Sequence, residues 1–228
     1  RRAELITAQD RVLLQSAARV VLLSRRGTLA EQLTRSQPTA APLFPTPRSR
    51  RSGKRQDVPL VPPALEYFNG LGGFAAQGRE YVTVLSEGLC TPQPWSNIIA
   101  NPSFGFLVSE SGGGFTWSLN SRENQLTPWS NDPVTDASGE AIYIRDDRTG
   151  DVWSPTAWPI RDASASYITS HGQGYSRFQH GAHGILSELV QFVPVDDPVK
   201  ISRLLLTNVS GRSRHLSVTA CAEWVLGT

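Results

Sequence analysis

Between Phe115 and Asp136 the chain reads F-T-W-S-L-N-S-R-E-N-Q-L-T-P-W-S-N-D-P-V-T-D. Asn120, Arg122, Glu123, Asn124, Gln125, Asn131 and Asp132 supply forked donors and acceptors there, and Trp129 supplies a flat apolar face. Sugars present hydroxyls to amides, guanidinium groups and carboxylates, and C–H faces to indoles. The stretch has the composition of a carbohydrate contact, placed on a loop, where binding groups concentrate. The same residues also fit a polar Ω-loop stapled by Pro128 and Pro133, with Trp129 as its internal plug. Composition alone leaves both readings standing.

Other groups able to do chemistry are scattered. Asn69-Gly70-Leu71-Gly72-Gly73-Phe74 is glycine-rich but lacks the Lys-Ser/Thr of a phosphate-cradling loop, so its glycines are expected at close backbone approaches. His180 and His183 have no thiolate or third ligand in sequence, and no metal site is expected. His171-Gly172-Gln173-Gly174-Tyr175 reads equally as a bulge with a satisfied histidine or as a ligand cluster. Glu110, Glu123, Asp132 and Asp136 could pair as acid and base, but sequence singles out no pair. No Ser/His/Asp set and no nucleophile elbow is present.

The elements that would position these groups are mostly short runs of period two. Strands are expected at Arg79–Leu85, Phe104–Ser109, Phe115–Leu119, Glu140–Arg145, Gly174–His180, Ile185–Phe192, Val199–Asn208 and Leu216–Leu226. Residues 146–150 and 209–212 read as turns between paired strands. Many strands with few helices predict an antiparallel β-sandwich over residues 64–228. Ahead of it, Thr7 opens an apolar helical stretch that ends near Gly27, and Thr28 with Glu31 caps a shorter helix to about Arg35. Residues 1–36 are thus a helical segment, and residues 37–63 a basic, proline-rich, solvated linker.

Charge divides the chain in the same way. Residues 1–63 carry 12 Lys/Arg and 4 Asp/Glu, against 10 and 16 in the remainder, for a net charge of +2. The basic linker has no interleaved aromatics to stack bases, so no nucleic-acid partner is expected. No apolar run approaches 18 residues and no leader pattern is present, so no membrane contact is expected of this stretch. The absence of methionine suggests a piece of a longer protein. Cys90 and Cys221, far apart and without CxxC spacing, read as inert buried thiols in a reducing compartment.

Several long stretches carry a family resemblance: residues 65–74 (L-E-Y-F-N-G-L-G-G-F), 91–97 (T-P-Q-P-W-S-N), 120–124 (N-S-R-E-N), 126–133 (L-T-P-W-S-N-D-P) and 171–175 (H-G-Q-G-Y). They resemble, in order, the C-terminal phosphorylase-like region of cyclic β-1,2-glucan synthases. That region is related to cellobiose and chitobiose phosphorylases (glycoside hydrolase family 94, formerly glycosyltransferase family 36). The resemblance implies a galactose-mutarotase-like β-supersandwich beside an (α/α)6 barrel that carries the catalytic acid of an inverting phosphorolysis, with phosphate as co-substrate. That barrel lies outside residues 1–228, so no residue here is expected to be catalytic, no cofactor is expected, and the isolated chain is expected to be inactive. Carried over position by position, Arg122, Glu123, Trp129, Asn131 and Asp132 are expected to face sugar or an interface. Implied partners are a β-glucan oligosaccharide, the helical barrel and a second copy in a homodimer. The implied location is the cytoplasmic face of a bacterial inner membrane. A free-standing disaccharide or oligoglucan phosphorylase is the nearest rival, set against by the Thr7–Pro63 extension. A docking domain with no sugar site is the other.

Overall fold

The computed structural model of the chain describes residues 7, 25, 27–36, 58–86 and 88–225. The helix expected behind Thr7 and the linker through residue 57 lie outside them. By its contacts the chain divides into two units, Arg1–Arg48 and Ser49–Thr228. In the first unit, α1 (Leu29–Ser36) begins with the reciprocal cap that its sequence encodes. The Thr28 N–H donates to Glu31 Oε2 at 2.8 Å, and the Glu31 N–H donates to Thr28 Oγ1 at 3.3 Å. No helix among the described residues is long and apolar enough to cross a membrane.

The second unit is built of strands. In chain order they are β1 (Gly72–Ala75), β2 (Glu80–Leu85), β3 (Ser96–Asn101), β4 (Phe104–Ser109), β5 (Gly114–Ser118) and β6 (Glu140–Asp146). There follow β7 (Val152–Trp153), β8 (Tyr167–Gly172), β9 (Tyr175–Ala182), β10 (Ile185–Phe192), β11 (Ile201–Asn208) and β12 (Leu216–Ala222). A large antiparallel sheet has the order β1-β2-β8-β9-β10-β11, and two small ones have the orders β3-β4-β5 and β12-β6-β7.

Both small sheets pack on one face of the large sheet. Ile99, Phe106 and Val108 meet Phe178 and Leu189, while Ile144 and Trp153 meet Ala182 and Ile185. Burying each of the Ile, Val, Leu and Phe side chains among these contributes about 1.5–3 kcal/mol. The alternation in β10 sets its orientation: Ile185, Ser187, Leu189 and Gln191 are buried, and the intervening residues are half-buried. As the apolar groups on both its faces imply, β10 is an inner strand, paired with β9 and β11.

Eight expected strands are present with ends shifted by a few residues at most, and β1, β3, β7 and β8 were not anticipated. Residues 209–212 do not close a hairpin: β11 and β12 belong to different sheets, so this turn carries the chain from one layer to the other. The packed region also begins before residue 64. Leu60 and Leu65 cover Ala75, Val82 and Ile168 on the outer face of the large sheet. Gly181 admits this segment, because a Cβ there would stand 2.5 Å from the Val58 carbonyl oxygen. Cys90 and Cys221 are exposed free thiols, which corrects the expectation of burial; both occupy positions that the core does not reach.

Candidate functional site

The Phe115–Asp136 stretch is rooted inside the second layer. Leu126 donates its N–H to the Thr116 carbonyl at 2.8 Å and accepts from the Val225 N–H at 2.9 Å, so it bridges β5 to the chain leaving β12. Thr127 Oγ1 accepts from the Thr116 N–H at 2.8 Å. The hydroxyls of Thr116 and Thr127 then both donate to Glu140 Oε1, at 2.5 and 2.7 Å. Glu140 Oε2 receives Lys200 Nζ at 2.6 Å, and that ammonium lies 4.3 Å from the centre of the Phe106 ring. Burial pushes the Glu140 carboxyl up, but Lys200 and the two threonines outweigh it and hold the group below its ordinary range.

The far end of the stretch is pinned by a second carboxylate. Asp136, at φ +44°, turns its Oδ2 to the hydroxyls of Ser109, at 2.5 Å, and Ser111. The adjoining Glu110 accepts from the Trp95 N–H at 2.7 Å and from the Thr91 hydroxyl. Burial, with a smaller push from the nearby Asp136, raises the Glu110 carboxyl. Of the four carboxylates open to pairing in sequence, these two are close enough to influence each other. Both are occupied in holding turns.

Between the pins the five expected residues fall into three places. Arg122 and Glu123 occupy a turn capped by Asn120, whose Oδ1 accepts both of their N–H groups at 2.9 and 3.0 Å. Their side chains pair at 3.3 Å and are 91% and 71% exposed. Trp129 lies flat on Phe115, with centroids 4.9 Å apart and planes at 11°, and remains 43% exposed. Asn131 is exposed, with φ +48°. Asp132 accepts from the Val134 and Thr135 N–H groups at 3.0 and 3.3 Å and from the Thr135 hydroxyl at 2.8 Å, shaping its own turn. The structure thus joins Arg122 to Glu123 and seats Trp129 on β5. A cavity of about 400 Å³ lies at the root of the stretch, lined by Ser138, Glu140, Gln191, Lys200, Ser202 and Trp224 among others.

Sequence reasoning missed the anchors. Glu140 and Lys200 are 60 residues apart, and no spacing signal links them. The histidines are elsewhere. His171 closes β8, its Nε2–H donating to the Trp95 carbonyl at 2.9 Å while Nδ1 accepts from the Ser176 hydroxyl at 2.8 Å. A carbonyl can only accept, which fixes this tautomer. Burial lowers the pKa of His171 to about 4, so it is neutral at pH 7. Buried His180 stacks on Tyr167, and His183 lies 3.7 Å from Asp151. Among the described residues no group of three could hold a metal ion.

Comparison with known proteins adds the following. Residues 79–228 match the family model described as glycosyl hydrolase 94, supersandwich domain. The chain is 41% identical, over 99% of its length, to cyclic beta-(1,2)-glucan synthase NdvB of Rhizobium meliloti (strain 1021), and covers 8% of that protein. It is 30% identical over 67% of its length to N,N'-diacetylchitobiose phosphorylase of Vibrio proteolyticus, covering 19% of it. It is 32% identical over 69% of its length to solabiose phosphorylase of Paenibacillus borealis, covering 20%. The chain therefore spans no more than about a fifth of the length of these relatives.

Proposed function

Since this chain belongs to the glycosyl hydrolase 94 family as its supersandwich domain, we propose that it binds β-glucan oligosaccharide through the Phe115–Asp136 loop. In a longer protein it would present that sugar to a helical phosphorylase-like barrel with phosphate as co-substrate, on the cytoplasmic face of a bacterial inner membrane. The observation that carries the reading is Trp129, a half-exposed indole fixed flat on Phe115 within a loop pinned by Glu140 and Asp136. A preorganised aromatic face loses little entropy when a pyranose ring settles on it. Arg122 and Glu123, paired and exposed on the same loop, supply a fork for hydroxyls.

A docking surface without sugar is the second reading, favoured by Asp132, whose carboxylate serves its own turn. Titration of the chain with a β-1,2-glucan oligosaccharide separates the two. Trp129→Ala and Arg122→Ala should each weaken binding about 5- to 150-fold, the effect of losing roughly 1–3 kcal/mol of contact. No binding by the wild-type chain would leave the docking reading in place, and affinity unaltered in both variants would remove this loop as the sugar contact.

A further inference from the structure

Residues 65–74, 91–97 and 171–175 lie outside the Phe115–Asp136 loop, and the structure brings them together at one corner of the large sheet. Glu66 and Phe74 exchange main-chain hydrogen bonds at 2.8 Å in both directions and close a tight loop that leads into β1. Asn69 shapes that loop, its Oδ1 accepting the Leu71 and Gly72 N–H groups at 3.0 and 2.9 Å. Glycine is needed where the loop folds back: a Cβ at Gly73 would lie 2.8 Å from the Glu66 carbonyl oxygen, and one at Gly72 would lie 2.9 Å from the Tyr81 ring. Trp95 leans against Tyr81, and its carbonyl accepts from His171 Nε2. Asn97 donates to the Gly172 and Tyr175 carbonyls.

This corner displays aromatic rings. Phe74 meets Tyr81 at 5.2 Å and 84°, and Tyr81 meets Trp95 at 5.7 Å and 78°, so the three are held edge to face. Phe74 and Phe68 are exposed, and Tyr67 is 87% exposed. Tyr67 stands at φ +53°, a left-handed backbone that is costly for a bulky side chain. Glycine or asparagine would make the same turn at less cost, so the turn does not account for the ring. The hydrogen-bonding groups fixed beside the rings are a phenol and an amide, both uncharged. The Tyr81 hydroxyl accepts from Asn69 Nδ2 at 3.1 Å and keeps its own proton to donate. Glu80, next to Tyr81 along β2, turns to the opposite face, where Tyr175 and Arg177 engage it.

We propose that this corner is a second carbohydrate contact, at which Tyr67, Phe68 and Phe74 cover the C–H face of a glucose unit while the Tyr81 hydroxyl and the Asn69 amide meet its hydroxyls. Flat apolar rings beside neutral hydrogen-bonding groups match an uncharged pyranose, and rings already fixed lose little freedom on binding it. The site is separate from Trp129, since the corner is built on β1 and β2 of the large sheet and Trp129 rests on β5 of a small one. An oligosaccharide carries more sugar faces than one indole can cover. The choice of a β-glucan rests on the function proposed above; the position of the site does not.

Two-dimensional NMR of the isotope-labelled chain, titrated with a β-1,2-glucan oligosaccharide, tests this. The amides of residues 67–74 and the Trp95 indole report on the corner, and the Trp129 indole reports on the loop. The corner signals should move in the wild type and move again in Trp129→Ala. Tyr67→Asn should weaken the binding read from them at least about fivefold, with the melting temperature unchanged or raised, because asparagine accepts the left-handed backbone more readily. Tyr81→Phe, which keeps the ring and deletes the donor, should weaken it as well. Corner signals that stay still overturn the proposal whatever Trp129 does, and leave these rings to a protein partner. Movement abolished by Trp129→Ala overturns it too, as an echo of the loop, and so does a Tyr67→Asn chain that binds like the wild type. A still Trp129 indole beside moving corner signals supports this site and overturns the loop reading instead.

Discussion

At the scale of single residues, Trp129 separates contact from packing. Its stack on Phe115 is worth about 0.5–1.5 kcal/mol, and its 43% exposure keeps Trp129→Ala well short of the roughly 3–5 kcal/mol lost when a core tryptophan is removed. Chemical denaturation of that variant should show a loss near 1 kcal/mol; a loss above about 3 kcal/mol would make the indole a plug. His171 gives a second test. Its pKa falls from 6.5 to about 4 on folding, so the unfolded chain binds the extra proton between those values. The stabilisation from keeping His171 neutral is complete above pH 6.5 and declines as pH falls toward 4, by about 3 kcal/mol in all. A His171→Gln variant should lack that part of the acid dependence of unfolding. The loop's polar groups were legible by type alone, because amides, a guanidinium and an indole so close together are conspicuous. Their geometry was not, since the short side chains of Asn120 and Asp132 choose partners by local turn conformation.

Among the elements, apolar runs and alternation, rather than burial, were what made strands readable. β10 alternates cleanly and was placed to the residue, whereas β8 (Y-I-T-S-H-G) is buried on both faces with polar groups satisfied from other strands, and so shows no period. Thr169, for example, donates to the Glu110 carbonyl at 2.7 Å. The same long-range satisfaction hid the root of the loop. Glu140 joins β5, β6 and residue 127 to Lys200, just ahead of β11. Glu140→Gln should leave a largely buried ammonium without its counter-charge and cost about 3 kcal/mol or more. Because folding lowers the Glu140 pKa, its contribution is present above the ordinary carboxyl range and is lost as pH falls through the folded value. Melting temperature plotted against pH should therefore be flatter on the acid side in Glu140→Gln than in the wild type. Parallel curves would remove Glu140 as the electrostatic anchor.

For the whole molecule, the question is what keeps two layers in register when one of them is divided into two small sheets. Apolar packing is non-directional and tolerates sliding, so a directional link is needed where the layers meet. Arg214 provides it. From the turn between β11 and β12, its guanidinium donates from Nε at 2.8 Å and Nη2 at 2.6 Å to Asp146 Oδ2 at the end of β6, and from Nη1 to the His183 carbonyl in the β9–β10 turn. Asp146 also accepts the Arg148 N–H at 2.9 Å and the Thr149 N–H at 3.2 Å, and the pair is almost wholly buried. Burial alone would raise the Asp146 carboxyl; the turn amides and Arg214 reverse this and hold it below its ordinary range. Arg214→Met should strand that charge and cost about 3–5 kcal/mol, whereas Asp146→Asn combined with Arg214→Met should recover part of the loss, since a buried pair is worth less than the harm of breaking it. Denaturant unfolding of the two single variants and the double variant measures the coupling. Strictly additive losses would remove the Arg214–Asp146 pair as a coupled link between the layers, and Arg214 would be a bystander at their junction.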